Sequence, residues 1–345
     1  MTSDRQVSDS EWSGAGETFE DAIQSPIPVR RVSNRVNKGM HPGRYEINSA
    51  ILTPDPSNFN EAISIKEEKS QWIDAMQQEL KSIQENNTWV LVDLPPGRKA
   101  IGCKWVFKKK LNEKGEIERY KARLVAQGYN QKFGVDYDAV FAPVVKQTTT
   151  RILFSIAGKQ KMHLYHFDVK TAFLNGDLQE TIYMKQPPGF ISNENQNKVC
   201  LLRKSLYGLK QAARSWNQCI HKALIEFKFK QSLMDPCLYI RKTKEGLDYL
   251  LIYVDDMIVA SKNVNFIEEI FKMLNSKFVM SNLGPIKHYL GMEIKQDKDG
   301  NYLLSQEQYI KKIVNEFGLQ ESKDSDIPLI PSYNKTLESE KLIDN

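Results

Sequence analysis

The sequence has few of the residues that build structural metal sites and disulfide scaffolds. Among 345 residues there are four cysteines and five histidines, and no two cysteines form a CxxC pair. A structural zinc site needs closely spaced cysteine and histidine ligands, so this composition argues against a zinc module. We expect the cysteines to be buried or idle thiols in a reducing compartment.

Glycine-rich phosphate loops and long apolar runs are also missing. Without such a loop, the sequence does not fit a P-loop or a dinucleotide-binding fold. No apolar run approaches the length of a membrane span, and no N-terminal stretch resembles a signal peptide. We therefore expect a soluble intracellular protein without a membrane partner.

Positive charge is concentrated in one segment, although the formal net charge is only +5. Residues 98–132 carry eleven basic and three acidic side chains. Such a segment is typical of phosphate binding, but a solvated charged hairpin has the same composition. Composition alone favours the solvated hairpin.

The order of apolar and polar segments predicts an α+β fold with hairpins and a mixed or antiparallel sheet. Residues 1–58 are polar and aperiodic, which is typical of a disordered linker. A helix is expected to begin at a capping box formed by Ser64 and Glu67. Strands at 104–111 and 120–126 are expected to form a hairpin that carries most of the basic residues.

Two adjacent aspartates, Asp255 and Asp256, lie between the apolar runs 249–254 and 257–260. This pattern predicts a β-hairpin with both aspartates at its tip. Adjacent ionised carboxylates in apolar surroundings are costly, and a divalent cation with oxygen ligands removes that cost. Asp-Asp turns are also common without metal, so the pair alone leaves metal binding open.

A third aspartate, Asp168, ends the apolar strand at 164–167. An aspartate in that position is usually a helix N-cap. If it faced the Asp-Asp hairpin, it would complete a site for two metal ions that stabilise both oxygens in phosphoryl transfer. Spacing does not show that the three carboxylates meet, so both interpretations stay open.

Eight short motifs follow one another between about residues 72 and 331. They are WVFK at 105–108, KARLVAQG at 121–128, FAPVV at 141–145, DVKTAFLNG at 168–176, QPPGF at 186–190, SLYGLKQ at 205–211, YVDD at 253–256 and YLGMEI at 289–294. In this order they resemble the reverse transcriptase of copia-type LTR retrotransposons. A single motif would be weak evidence, whereas the ordered set is highly specific.

The resemblance implies a right-hand polymerase fold with palm, fingers and a partial thumb. The implied boundaries are a linker at 1–58, fingers at 59–160, and a palm at 161–280 with a fingers insertion near 182–204. A primer-grip hairpin and the start of the thumb follow at 281–320. A flexible tail at 321–345 leads toward a missing connection and ribonuclease H region.

The resemblance further implies an RNA-directed DNA polymerase that uses two Mg²⁺ ions, with Mn²⁺ as a substitute. Its partners are an RNA template, a DNA primer-template and deoxynucleoside triphosphates. The implied catalytic and metal-binding residues are Asp168, Asp255 and Asp256. The implied nucleotide-binding residues are Lys121, Arg123, Phe173, Tyr207, Gly208 and Lys210. The implied primer grip is Tyr289, Leu290, Gly291 and Met292, with the Tyr289 ring exposed.

Two other functions stay open from the sequence. A fragment of a Pol polyprotein, or a decayed genomic copy, would keep nucleic-acid binding without turnover. A metal-dependent nuclease would use three carboxylates but gives no reason for Phe173 or for the segment 207–210. The family location is cytoplasmic, within a virus-like particle, or nuclear. Phe173 and Tyr207 also fit core packing, and Lys210 fits a solvated lysine.

Overall fold

Helices and strands are mixed along the chain without a regular alternation. A computed structural model describes residues 54–112 and 116–322. Its helices are α1 (Phe59–Ser64), α2 (Lys69–Glu85), α3 (Gln147–Gln160), α4 (Ala212–Glu226), α5 (Val264–Asn275) and α6 (Glu307–Glu316). Among these described helices, none has the length and hydrophobicity needed to cross a bilayer.

The strands form four separate sheets. They are β1 (Trp89–Val92), β2 (Cys103–Leu111), β3 (Ile117–Ala126), β4 (His163–Val169), β5 (Asp177–Met184), β6 (Val199–Lys204), β7 (Lys230–Gln231), β8 (Leu238–Thr243), β9 (Gly246–Tyr253), β10 (Asp256–Ser261), β11 (Met280–Pro285), β12 (His288–Tyr289), β13 (Met292–Gln296) and β14 (Tyr302–Ser305).

The largest sheet has six strands in the order β11-β4-β10-β9-β8-β7. The smaller sheets are β1-β6-β5, β12-β13-β14 and the pair β2-β3. Each pairing between these named strands is antiparallel. The α+β class with antiparallel sheets, which the sequence predicted, is thereby confirmed.

Both faces of the six-stranded sheet are buried. Leu250 and Ile252 of β9 pack into the apolar cluster that includes α4 and α5. Tyr249 and Leu251 point to the opposite cluster, which includes α3 and the β12-β13-β14 sheet. Because successive strand residues face opposite sides, a strand covered on both faces has a continuous apolar sequence. This arrangement accounts for the apolar runs on either side of the two aspartates.

The predicted basic hairpin is confirmed as β2 paired with β3, from Cys103↔Ala126 to Leu111↔Ile117. On β2 the side chains of Trp105 and Phe107 are buried, while those of Lys104, Lys108 and Lys110 are exposed. The alternation places the aromatic residues on the core side and these three lysines on the solvent side, whereas Lys109 lies on the core side.

Helix α2 covers the core side of this hairpin but does not begin where the capping box predicted. Ser64 ends α1, and its Oγ donates to the carbonyl of Glu61 at 2.7 Å. The N-cap of α2 is Glu68, which makes no capping hydrogen bond. Its carboxylate instead pairs with Lys109 Nζ at 2.7 Å, in a largely buried contact. A tertiary ion pair, rather than a local cap, therefore marks this helix start.

The predicted linker and tail lie mostly outside the described residues. Asp55, near the first described position, accepts hydrogen bonds from Lys108 Nζ and from the backbone N–H of Lys109, both at 2.8 Å. Asp55, which the sequence placed in the linker, therefore contacts the β2–β3 hairpin ahead of α1.

All four cysteines are free thiols, and Cys200 and Cys237 are buried. Burial raises the pKa of each of these two thiols to about 12. A thiol with such a pKa is almost entirely protonated near neutral pH, so neither is a reactive nucleophile.

Candidate active site

The hairpin of β9 and β10 carries two of the three candidate aspartates. Tyr253 pairs with Asp256, so Val254 and Asp255 form the two-residue turn and Asp256 begins β10. Val254 has φ of +57°, a left-handed conformation that a β-branched residue rarely adopts. Strain of this kind persists only where surrounding contacts hold it, and it is concentrated at functional sites.

The third aspartate lies on the neighbouring strand. In the β4–β10 ladder Asp168 is directly opposite Asp256. The backbone N–H of Val169 donates to the carbonyl of Asp255 at 2.9 Å. Asp168, Asp255 and Asp256 are thus brought together at one end of two central strands. The adjacency of β4 and β10 achieves this, although the residues are far apart in the sequence.

A cavity of about 710 Å³ opens in front of this end of the sheet. Asp168 and Asp255 lie on one wall. The facing wall belongs to the basic hairpin and carries four cationic side chains, Lys110, Arg119, Lys121 and Arg123. Carboxylates opposite a row of cations create a site that accepts metal ions and phosphate groups together.

The carboxyl group of Asp255 is electrostatically perturbed. Burial raises its pKa above the ordinary value, and the nearby charges of Asp256 and Asp168 raise it further. The positive charge of Arg123 acts in the opposite direction. A partly buried carboxylate repelled by two others favours a bound cation.

Asp256 has a different environment from the other two aspartates. Its Oδ1 lies 3.0 Å from Nε2 of His166, on the adjacent strand, and it is not part of the cavity lining. Within residues 54–112 and 116–322, no three acidic, histidine or cysteine side chains are arranged to ligate one metal ion. The carboxylate of Glu79, on α2, also lines the cavity, but of the three candidate aspartates only Asp168 and Asp255 do. Their hard oxygen donors fit Mg²⁺, which is commonly held by one or two carboxylates plus phosphate and water.

The indole of Trp216, on α4, contacts the turn formed by Val254 and Asp255. Its Nε1 donates to the carbonyl of Val254 at 2.6 Å, and its ring packs edge-on against Phe278 at 5.2 Å between centroids. The ring is almost fully buried. A buried hydrogen bond to this carbonyl restrains the strained residue next to Asp255.

Tyr207 connects the basic hairpin to the segment after β4. Its ring lies edge-on to Phe173 at 4.8 Å between centroids, and the Arg123 guanidinium lies 5.1 Å from the ring centre. Tyr207, Lys121 and Arg123 line the cavity, whereas Phe173 is behind Tyr207 and outside the lining. Burial lowers the pKa of Lys121, and the charges of Arg123 and Arg119 lower it further.

Gly208 contacts the end of β3 and Lys210 contacts the segment that follows β3, and neither lines the cavity. Gly208 has φ of +91°, and a Cβ there would lie 2.2 Å from the carbonyl oxygen of Ala126. Only glycine fits this close approach, which accompanies a 2.7 Å hydrogen bond from Ala126 N–H to the Tyr207 carbonyl. Lys210 Nζ bonds the hydroxyl of Tyr137 at 3.0 Å and lies outside the lining.

The candidate primer grip, Tyr289 to Met292, is the turn joining β12 and β13. Leu290 and Gly291 both have positive φ and form the two turn positions. The expectation that the Tyr289 ring is exposed is wrong, because it is only 2% exposed. Its ring lies edge-on to His166 at 6.2 Å, so it packs beneath the residue that contacts Asp256. The paired strands turn this side chain toward the sheet.

Three residues near the aspartates were not identified from the sequence: Glu79, His166 and Trp216. Glu79 carried a detectable signal, since it shares helical spacing with buried Trp72, Met76 and Ile83. An acidic residue in an apolar helical stripe indicates either a functional role or a partner. The roles of His166 and Trp216 depend on strand and helix placement, which spacing does not give.

Comparisons with known proteins are consistent with this geometry. The family model described as reverse transcriptase (RNA-dependent DNA polymerase) matches residues 86–331. The Pol polyprotein of transposon TNT 1-94 from Nicotiana tabacum is 41% identical over 291 residues, covering 83% of this chain and 22% of that protein. The Pol polyprotein of transposon RE1 from Arabidopsis thaliana is 35% identical over 318 residues, covering 92% of this chain and 22% of that protein.

The chain thus spans about a fifth of the length of these two relatives. Among solved structures, a foamy viral protease-reverse transcriptase in complex with double-stranded DNA aligns with a TM-score of 0.36 at 12% identity. That alignment covers 78% of this chain and 47% of the viral chain. The similarity at that level is too low to define a shared site.

Proposed function

The chain belongs to the reverse transcriptase family of copia-type Pol polyproteins, and from this premise we propose that it is an RNA-directed DNA polymerase. It would transfer nucleotides from deoxynucleoside triphosphates to a primer 3′-hydroxyl on an RNA or DNA template. The observation that carries the proposal is the cavity with Asp168 and Asp255 on one wall and four cations on the other.

The cations give the cavity its preference for a triphosphate. Arg119, Lys121 and Arg123 lie on one strand, β3, and line the cavity, where they would donate charge-assisted hydrogen bonds to phosphate oxygens. Their positions are set before substrate binds, because β3 is paired along its length with β2. A preorganised cationic wall stabilises charge that develops on the leaving pyrophosphate.

Asp168 and Asp255 are the residues that would hold divalent metal ions. When bound there, Mg²⁺ would activate the primer hydroxyl and neutralise the leaving group. Asp256 assists through its charge, which adds to the negative potential at Asp255, and through its contact with His166. Tyr207 lines the cavity beside the cations, and Phe173 supports its ring edge-on from outside the lining, so an incoming base and sugar would pack on Tyr207.

The proposed subdomains follow from this site. The β2–β3 hairpin with α2 forms the fingers, the six-stranded sheet with α4 and α5 forms the palm, and β12-β13-β14 with α6 begins the thumb. The β12–β13 turn, with Leu290 exposed at its tip, is the proposed contact to the primer strand.

Primer extension by the full chain tests the proposed activity. We expect Mg²⁺-dependent addition of deoxynucleotides on an RNA template and on a DNA template, and no addition with a chelator present. Binding of labelled primer-template is measured in parallel at two salt concentrations, since phosphate contacts weaken as salt rises. Binding without extension would contradict the proposal and identify a nucleic-acid-binding protein without turnover.

The contact between Trp216 and the turn of Val254 and Asp255 gives a second prediction. Trp216→Phe removes the hydrogen bond to the Val254 carbonyl, so the neighbouring Asp255 can shift from its position. We expect this shift to lower the extension rate roughly 10- to 100-fold, because the rate depends on precise placement of the reacting groups. The free energy of unfolding is expected to fall by only about 1 kcal/mol, the contribution of one hydrogen bond. Both quantities are measured on the same preparation, by single-turnover extension and by urea unfolding.

Trp105→Phe is the matched control. The Trp105 indole is equally buried and donates to the carbonyl of Pro188 at 3.0 Å, away from the turn of Val254 and Asp255. Trp105→Phe is expected to lose a comparable free energy of unfolding while its extension rate stays that of the parent. Equal losses of rate in the two variants would show that Trp216 acts on general stability alone.

A further inference from the structure

Helix α2 forms part of the cavity although it precedes residue 86, where the family match begins. Four of its residues line the cavity: Ala75, Gln78, Glu79 and Ser82. Trp72 fixes the helix to the basic hairpin through edge-on contacts with Phe107 at 5.2 Å and Tyr120 at 4.7 Å. The wall behind the cations is therefore built by a segment that the family match does not include.

Glu79 is an unexpected side chain in that wall. It is only 8% exposed, and its Oε1 accepts one hydrogen bond, from the backbone N–H of Leu124 at 3.2 Å. No lysine or arginine among the described residues forms an ion pair with it at 4 Å or less. Burial raises the pKa of Glu79, and the charges of Arg123 and Lys121 partly oppose that effect.

A negative charge in this position opposes the binding of phosphate groups. A triphosphate or pyrophosphate would bind Lys121 and Arg123, the same cations whose charges act on Glu79 in the cavity lining. At the intermediate effective dielectric of a partly open cavity, charges several ångströms apart still interact appreciably. Glu79 therefore balances the cations when no phosphate is bound and reduces their net attraction when it is.

We propose that Glu79 is a counter-anion that sets how tightly the basic hairpin holds phosphates, so that pyrophosphate leaves after transfer. This inference rests on the proposed function, because it assigns the cations to a nucleotide's phosphates. Glu79 acts through Lys121 and Arg123 and is a positioning residue rather than a catalytic one. The alternative is a purely structural role, in which its oxygen only satisfies the Leu124 N–H.

Glu79→Gln separates these two roles, because the amide keeps the acceptor oxygen and removes the charge. We expect the dissociation constant of inorganic pyrophosphate, measured by calorimetry on the full chain, to fall about 3- to 10-fold. The KM for deoxynucleotide is expected to fall in parallel, and product inhibition by pyrophosphate to strengthen. Removing a buried charge is also expected to raise the unfolding midpoint, so stability and phosphate affinity increase together.

Two further variants serve as controls. Asp74→Asn makes the same change of charge on an exposed position of α2 outside the cavity lining, and is expected to leave pyrophosphate affinity unchanged. Glu79→Asp keeps the charge and is expected to bind pyrophosphate as the parent does, even if its shorter side chain loses the Leu124 contact. If Glu79→Gln did not fold, tighter binding by Glu79→Ala would support the inference.

The outcomes distinguish this inference from the proposed function. If the parent extends primers and binds pyrophosphate but Glu79→Gln binds it equally or more weakly, the counter-anion role is overturned and the polymerase proposal stands. If the parent neither extends primers nor binds pyrophosphate, both are overturned. An equal gain in pyrophosphate affinity in Asp74→Asn would also overturn the counter-anion role, because the gain would then come from the net charge of the protein.

Discussion

Asp255→Asn is expected to abolish primer extension while the chain stays folded. The asparagine keeps the shape of the side chain but replaces a charged oxygen donor by a neutral one, which binds Mg²⁺ far less well. Loss of several kcal/mol of transition-state stabilisation corresponds to a decrease in rate of roughly 1,000-fold or more. Single-nucleotide extension under single-turnover conditions measures this decrease directly.

The same substitution is expected to stabilise the protein when no divalent metal is added. Burial holds the pKa of Asp255 above its ordinary value in the folded chain. The folded state therefore binds more protons than the unfolded state between the ordinary and the raised pKa. Stability falls as pH rises through that interval, and this penalty persists at neutral pH. Asparagine does not ionise, so the variant lacks this loss.

Thermal unfolding at pH 4 and pH 7.5, with and without Mg²⁺, measures these effects. The parent should gain stability from Mg²⁺ at pH 7.5, because a ligand that binds only the folded state stabilises it. Asp255→Asn should unfold at a higher temperature than the metal-free parent and gain little from Mg²⁺. Asp299→Asn, on the exposed turn between β13 and β14, should match the parent throughout. Full activity in Asp255→Asn would mean that other groups hold the metal.

The parts of the fold that local sequence patterns determine were predictable. Alternating aromatic and basic residues between 103 and 111 set the two faces of β2, and the strand pairing followed. The apolar runs around Asp255 likewise indicated a hairpin of two strands, because a strand buried on both faces is apolar at almost every position. The convergence of Asp168 with Asp255 was not predictable from spacing, since it depends on β4 lying beside β10.

Failures of prediction occurred where a tertiary contact replaced a local one. Ser64 and Glu67 match a capping box, yet the buried pair of Glu68 with Lys109 marks the start of α2 instead. A two-residue turn at Leu290 and Gly291 turns Tyr289 into the core, although the motif suggested an exposed ring.

The orientation of the Asp256 side chain was also not predictable from the sequence, because a motif gives the identity of a residue but not the group that its side chain contacts. In the structure that partner is His166, two residues before Asp168 on β4. Residues i and i+2 of a strand share a face, so His166 and Asp168 lie on the same side of the sheet. Of the three candidate aspartates, two therefore line the cavity and the third contacts a neighbouring imidazole.

Trp72→Ala is expected to cause the largest loss of stability, about 3 to 5 kcal/mol in the free energy of unfolding. Trp72 is fully buried and contacts Phe107 and Tyr120 edge-on. Its Nε1 also donates to Glu68 at 3.2 Å, the carboxylate that pairs with Lys109. Alanine leaves a cavity between α2 and the hairpin and removes one partner of a buried ionic group. Urea unfolding measures the loss.

A graded series separates packing from hydrogen bonding at this position. Trp72→Phe keeps much of the ring contact and should cost about 1 to 2 kcal/mol, mainly from the lost indole hydrogen bond. Leu233→Ala, at a side chain that is 97% exposed, should stay within about 0.5 kcal/mol of the parent. Since α2 forms the wall behind Lys121 and Arg123, the alanine variant should also show a higher KM for deoxynucleotide at temperatures where it remains folded. A stable Trp72→Ala protein with an unchanged KM would show that α2 is not needed to hold the basic hairpin beside the candidate aspartates.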